Sequence, residues 1–135
     1  MIDIKIFNPR GLARPAGPYC HIADVTAQRL AFIAGQVPMN EAGATVGTGD
    51  FDAQCRQVFA NIHTALRELG ADWKNVVQFT SYLVRPQDAP SFRAFRGREF
   101  PKMFSDGAYP PNTLLIISRL AEEAYWLEVQ TIAAL

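Results

Sequence analysis

Long apolar runs are missing from this chain. No stretch reaches the roughly 20 residues that cross a bilayer, so the sequence offers no membrane-spanning helix. Cysteine is scarce: Cys20 and Cys55 are the only two, and with no secretion signal beside them they make a poor case for a disulfide. Charge of one sign is absent as well. Thirteen Lys and Arg balance thirteen Asp and Glu without a basic run, so nucleic acid finds no electrostatic footprint. His21 and His63 stand far apart with no paired ligand spacing, which argues against a metal centre. The loop Gly43-Ala44-Thr45-Val46-Gly47 lacks the Lys-Ser/Thr ending of a phosphate-binding P-loop, and nothing signals a nucleophile elbow. Met1 to Phe7 alternates polar and apolar residues as a strand does. It lacks the basic start and continuous apolar middle of a signal peptide, so a cytoplasmic location is the default expectation.

What is present suits one domain over residues 1–135, with no internal repeat, low-complexity tract or linker. A chain of this length buries roughly two-thirds of its unfolded surface, enough for a core without disulfides or metal. Ile2–Phe7 reads as a strand, followed by a Pro/Gly-rich loop over 8–18 that is ordered by docking. Cys20–Val25 and Leu30–Val37 read as two strands of a hairpin turning at Thr26–Arg29.

The clearest element is a helix from Phe51 to Leu69. Phe51, Cys55, Val58, Phe59, Ile62, Leu66 and Leu69 form one stripe at i, i+3, i+4 spacing, with Asp50 as N-cap and Gly70 just past the end. Cys55 thereby belongs to the core stripe and not to a reactive thiol. Val76–Val84 is a strand apolar on both sides, and a second helix runs from Asp88 until Pro101 stops it. The order of strands, helix, strand, helix and two strands predicts an α+β fold, a mixed sheet with both helices on one face. The other face is also rather apolar, which points to self-association.

The C-terminal stretch carries the chemistry. Pro110-Pro111 cannot donate ladder hydrogen bonds and aim the chain into Thr113–Ile117, a nearly continuous apolar run that reads as a strand buried on both faces. In the last strand, period-2 alternation puts Tyr125, Leu127, Val129 and Thr131 on one face and Trp126, Glu128, Gln130 and Ile132 on the other. Beside Trp126 in this row, Glu128 would be partly desolvated if that face is covered, which raises a carboxyl pKa and suits proton transfer near neutral pH. A solvated sheet residue fits the same pattern.

Taken together, Gly17-Pro18-Tyr19, Ala34-Gly35-Gln36-Val37-Pro38, the run Gln54, Gln57, Asn61, Leu66, Gly70, Val76-Val77, Thr80 and Val84, and the Leu127-Glu128-Val129 strand resemble the RidA (YjgF-type) family of enamine/imine deaminases over nearly the whole chain. The resemblance implies a chorismate mutase-like, RidA-type fold, a homotrimer whose sheets pack into a barrel-like core, and small-molecule clefts between subunits. It implies no cofactor. In the family's deaminases the Glu matching Glu128 positions the water that attacks the imine carbon and handles the proton as ammonia leaves. Tyr19, Ala34, Gly35, Arg93, Asn112 and Leu114 match positions lining the cleft.

Two of these positions depart from the family pattern. Asn112 stands where the deaminases have an Arg that grips the substrate carboxylate in a two-pronged, charge-assisted contact, which an amide does not reproduce. Ala34 replaces a small hydroxyl residue. Asn112 fits either a changed ligand choice or a simple cap of the turn after Pro111. Arg93 and, in the loop before Gly17, Arg14 are candidates for a substitute cation, and each also fits a solvated surface Arg. Arg119 matches an Arg outside the pocket and reads as structural. The resulting function is hydrolysis of an enamine, imine or related small C–N compound. The alternatives are a trimer that binds a metabolite without catalysis, or a scaffold.

Overall fold

The computed structural model describes Met1–Leu135. Along the chain it forms β1 (Asp3–Phe7), β2 (Ile22–Thr26), β3 (Leu30–Gln36), α1 (Phe51–Glu68), β4 (Val76–Leu83), α2 (Asp88–Met103), β5 (Asn112–Ile116) and β6 (Leu127–Ala134). A four-stranded sheet has the order β3-β6-β4-β5. In it β6 is antiparallel to both neighbours, whereas β4 and β5 are parallel. Parallel neighbours need a crossover, and α2 provides it. Both helices cover one face of this mixed sheet, the α+β arrangement read from the sequence.

The apolar stripe of α1 is the reason for that coverage. Asp50 Oδ1 accepts the Ala53 N–H at 3.0 Å and starts the helix, and Gly70 ends it at a φ of +71° that side-chain-bearing residues rarely adopt. Phe59 is the hub of the core. Its ring lies 5.5 to 6.3 Å from those of Trp73, Phe79, Phe92, Phe95 and Phe100. Truncating such a residue to Ala costs about 3–5 kcal/mol. Cys55 is fully buried among these residues, and burial, more than its charged neighbours, pushes its thiol pKa far up.

Three expectations are corrected. The hairpin of the second and third strands does not form: β2 pairs antiparallel with β1 in a separate two-stranded sheet, and β3 pairs with β6. The 27–29 turn redirects the chain instead, with Gln28 and Arg29 N–H groups donating to the Leu135 carbonyl. Pro101 does not stop α2, which runs two residues further to Met103. In a last turn a proline forfeits only its own ladder bond, and Phe104 N–H still reaches the Phe100 carbonyl at 2.8 Å. Finally, β5 is an edge strand whose Leu115 and Ile116 remain exposed, since nothing in the chain covers its outer side.

The helix-free face of the sheet is apolar in part. Leu30, Phe32 and Leu115 lie on it by alternation, and Phe32 is 70% exposed.

Candidate functional site

The structure brings the singled-out residues together in two groups, not one. On the helix side, Tyr19, Arg93, Asn112 and Leu114 line a cleft of about 260 Å³ between the loop before β2, α2 and β5. On the opposite sheet face, Glu128 stands beside Gly35.

Local structure fixes the first group. The parallel register sets Asn112 against Phe79 and Leu114 against Ser81, the side of β4 that faces the helices. Ser81 Oγ–H donates to Asn112 Oδ1 at 2.7 Å, which leaves the amide Nδ2 hydrogens as donors. Ala89, Arg93 and Arg96 follow one another at i, i+4 and i+7 on α2 and so share the face that meets the cleft. The loop carrying Tyr19 is docked by three contacts. His21 N–H donates to Asn8 Oδ1, the His21 ring meets the Ala13 carbonyl at 2.7 Å, and Cys20 N–H donates to the Tyr109 carbonyl at 3.0 Å. Tyr19 also packs edge-on against His21.

In the second group, Leu127 and Val129 are fully buried under the helices, so alternation turns Glu128 to the other face, opposite Tyr82 of β4. The β3–β6 register slips between Ile33 and Gln36. Ala34 and Gly35 occupy this bulge, which bends β3 toward the Glu128 side chain. A Cβ on Gly35 would overlap the carboxylate and stand 2.7 Å from its Cδ. Ala34 is exposed.

The approach to β6 is held by Gln54 of α1. Its Nε2 donates to the carbonyls of Gly47 at 3.1 Å and Ala124 at 2.8 Å, and its Oε1 accepts the Trp126 N–H at 2.9 Å. Trp126 carries the guanidinium of Arg85 over its ring at 3.5 Å, and Arg85 grips buried Asp88 with two hydrogen bonds. These contacts clamp the entrance of β6 and the start of α2 to one another.

One cleft residue escaped the sequence reading. Arg96 is only 5% exposed, and its Nε and Nη1 lack any hydrogen-bond partner. Its guanidinium stacks over Phe92 at 4.4 Å. Burial, and then the neighbouring Arg93 charge, push its pKa down to about 10. Relative to water, keeping it charged there costs about 3 kcal/mol. The signal lay in its spacing, i+4 from core Phe92 and i+3 from Arg93. Arg93 itself is exposed at the cleft, while exposed Arg14 is not among the lining residues. Arg119 donates to the carbonyls of Leu120 and Ala121 and shapes the connection between β5 and β6.

A cavity of similar size, about 280 Å³, lies under β1 against Trp73, Met103 and Phe104. It collects none of the singled-out residues. No helix of the chain is long and apolar enough to cross a membrane.

Comparison with known proteins narrows the reading. The Endoribonuclease L-PSP (Ribonuc_L-PSP) family pattern matches residues 11–135. A RutC family protein of Synechocystis is 28% identical, over 99% of this chain and 98% of its own. The 3-aminoacrylate deaminase RutC of Acinetobacter baylyi is 26% identical over 87% of this chain and 96% of its own. Among solved structures, the Rid-family protein YyfB of Yersinia pestis, described as of unknown function, superposes with a TM-score of 0.83 at 31% identity, covering 98% of both chains.

Proposed function

This chain belongs to the Endoribonuclease L-PSP family, which takes in the RutC and Rid proteins, and from that premise we propose that it is a cytoplasmic homotrimer hydrolysing a small enamine or imine. The observation that carries the reading is the pairing of Glu128 with Gly35. An acidic side chain leans over a bulged backbone on the open sheet face, and in the proposed assembly a neighbouring subunit completes the site with its own helix-side cleft. The exposed Phe32 and Leu115 give that neighbour an apolar seat.

In this reading the two half-sites of different subunits face each other. Glu128 is the acid/base. It takes a proton from the water that adds to the imine carbon and returns it to nitrogen, so that the C–N bond breaks and a carbonyl compound and ammonia leave. Tyr19, Ala34, Gly35, Arg93, Asn112 and Leu114 shape the ligand's surroundings, and Gly35 gives it close access to backbone.

A second reading is favoured by Asn112 and Ala34. Neither side chain carries a charge, and the Asn112 Oδ1 is already held by Ser81, which suits a trimer that binds a metabolite without turning it over.

Ammonia release from freshly generated 2-aminoacrylate, 3-aminoacrylate and neutral enamines separates the two. Turnover by the wild type, lost in Glu128→Gln, supports the enzyme. A wild type no faster than buffer on all of them supports the binding protein. Sedimentation checks the assembly: a stable monomer at micromolar concentration removes the shared site.

A further inference from the structure

The cavity between β1 and the end of α2 has an apolar interior and a charged rim. β1 pairs only with β2, and alternation turns its half-buried Ile4 and Ile6 inward while Asp3, Lys5 and Phe7 stay outside. Trp73, Met103 and Phe104 form the other wall. The Trp73 ring is held in place, stacked on His63 at 5.0 Å and tilted toward Phe104 at 6.1 Å. Such walls give water few partners, and an apolar hollow left unfilled forfeits packing contacts. The rim differs. Lys74 and Asp106, both exposed, are the only charged residues lining the cavity. They come from the 3₁₀ turn Trp73–Asn75 and the loop after α2, and neither joins an ion pair of the chain. Asp106 Oδ1 accepts the Ala108 N–H at 3.0 Å, which fixes the carboxylate and leaves Oδ2 free.

We propose that this cavity binds a small zwitterion with one apolar group, of the kind an aromatic α-amino acid is. The apolar group lodges between Ile4, Ile6, Trp73 and Phe104, the ammonium meets Asp106 and the carboxylate meets Lys74. A purely apolar ligand leaves both rim charges unused, and a purely ionic one leaves the hollow empty. At about 280 Å³ the cavity lies just below the roughly 300–1,000 Å³ of sites for drug-sized molecules, which suits a ligand of this size. The site is separate from both groups described above. Met103 stands seven residues beyond Arg96, about 10 Å along α2 at 1.5 Å per residue, and none of the cleft residues lines it. The inference is thus independent of whether the chain hydrolyses an imine.

L-Phenylalanine is the probe, followed by NMR titration. 2-Phenylethylamine lacks its carboxylate, 3-phenylpropionate lacks its ammonium, and glycine lacks its ring. Trp73 and Trp126 are the chain's two tryptophans, so Trp126→Phe assigns the indole signals. L-Phenylalanine should shift the Trp73 indole and the Ala108 amide saturably, with a Kd of about 1 mM or tighter, the reach of a ligand of about a dozen atoms. The Arg93 and Asn112 amides should not move. 2-Phenylethylamine and 3-phenylpropionate should each bind roughly 2- to 10-fold more weakly, as loss of one exposed charged contact implies. Glycine should not saturate.

The variants cross with the ligands. Asp106→Asn keeps an acceptor for Ala108 but no charge, and should weaken L-phenylalanine and 2-phenylethylamine while leaving 3-phenylpropionate unchanged. Lys74→Met should weaken L-phenylalanine and 3-phenylpropionate while leaving 2-phenylethylamine unchanged. Ile4→Trp puts a ring into the hollow from a strand position that suits aromatics, and should abolish binding. No saturation by L-phenylalanine, shifts centred on Arg93 and Asn112, or equal affinity for the three aromatic ligands each overturns the proposal. So do Asp106→Asn and Lys74→Met proteins with wild-type affinities, a result that stands even where Ile4→Trp fails to fold.

Discussion

The Glu128 side chain occupies the space where a Cβ on Gly35 would project. The relationship is one-sided. Gly35 does not have a positive φ, so the backbone accepts alanine, and the atoms in the way belong to a side chain able to rotate. Gly35→Ala should therefore leave the melting temperature within a few degrees of wild type while swinging the carboxylate aside. On the proposed mechanism kcat falls about 100-fold, as displacement of a reacting group by about 1 Å does. Parallel thermal melts and ammonia-release assays check both halves.

Gln54 has no surface exposure and satisfies three backbone groups from one amide. Gln54→Leu fills the space but strands the Gly47 and Ala124 carbonyls and the Trp126 N–H. With roughly 1 kcal/mol or more per stranded group, the loss should reach about 3 kcal/mol. Urea denaturation gives it directly, through a lower midpoint at unchanged slope.

Thiol titration tests the reading of Cys55. Buried in the aromatic core with its pKa raised by that burial, it should stay unmodified by a thiol reagent for as long as the protein is folded. Cys20, partly exposed, should account for all native reactivity, and the second thiol should appear only in denaturant. Two fast equivalents from the folded protein would contradict the packing.

Asp72 gives a pH dependence with a definite sign. It caps the short 3₁₀ turn Trp73–Asn75. Its carboxyl is held below the usual carboxylate range chiefly by the Trp73 N–H, with a smaller contribution from His63. The unfolded chain then binds the proton more readily than the folded one. The stabilisation is present above the ordinary value of 3.8 and is lost as pH falls through the lower folded value. Asp72→Asn keeps a capping side chain but has nothing to titrate. Its urea midpoints between about pH 5 and pH 2 should decline less steeply than those of the wild type.

Sequence pattern alone carried much of the fold because α1, β4 and β6 are self-declaring. The α1 stripe from Phe51 to Leu66, bounded by Asp50 and Gly70, records a helix period and both of its caps, and the alternation through Leu127-Glu128-Val129 records which way the carboxylate turns. Pairing partners are a different matter. Whether Ile22–Thr26 hydrogen-bonds to β1 or to β3 depends on residues far away in the chain, and local pattern does not distinguish them. The candidate residues from Tyr19 to Glu128 were proposed one by one, most of them through the family resemblance. Their division between two faces required the parallel β4–β5 register, which puts Asn112 on the helix side. Arg96 was hidden for a physical reason. An arginine between Phe92 and Phe100 reads as a solvated helix residue until packing shows that its guanidinium is enclosed.

The outer-face row of Leu30, Phe32 and Leu115 gains a meaning from this division. On the proposed arrangement, a chain diluted until it meets no other holds every reacting group and performs no turnover, because catalysis belongs to an encounter between molecules. Changes at Phe32, remote from any bond being broken, then surface as lost activity that higher protein concentration restores.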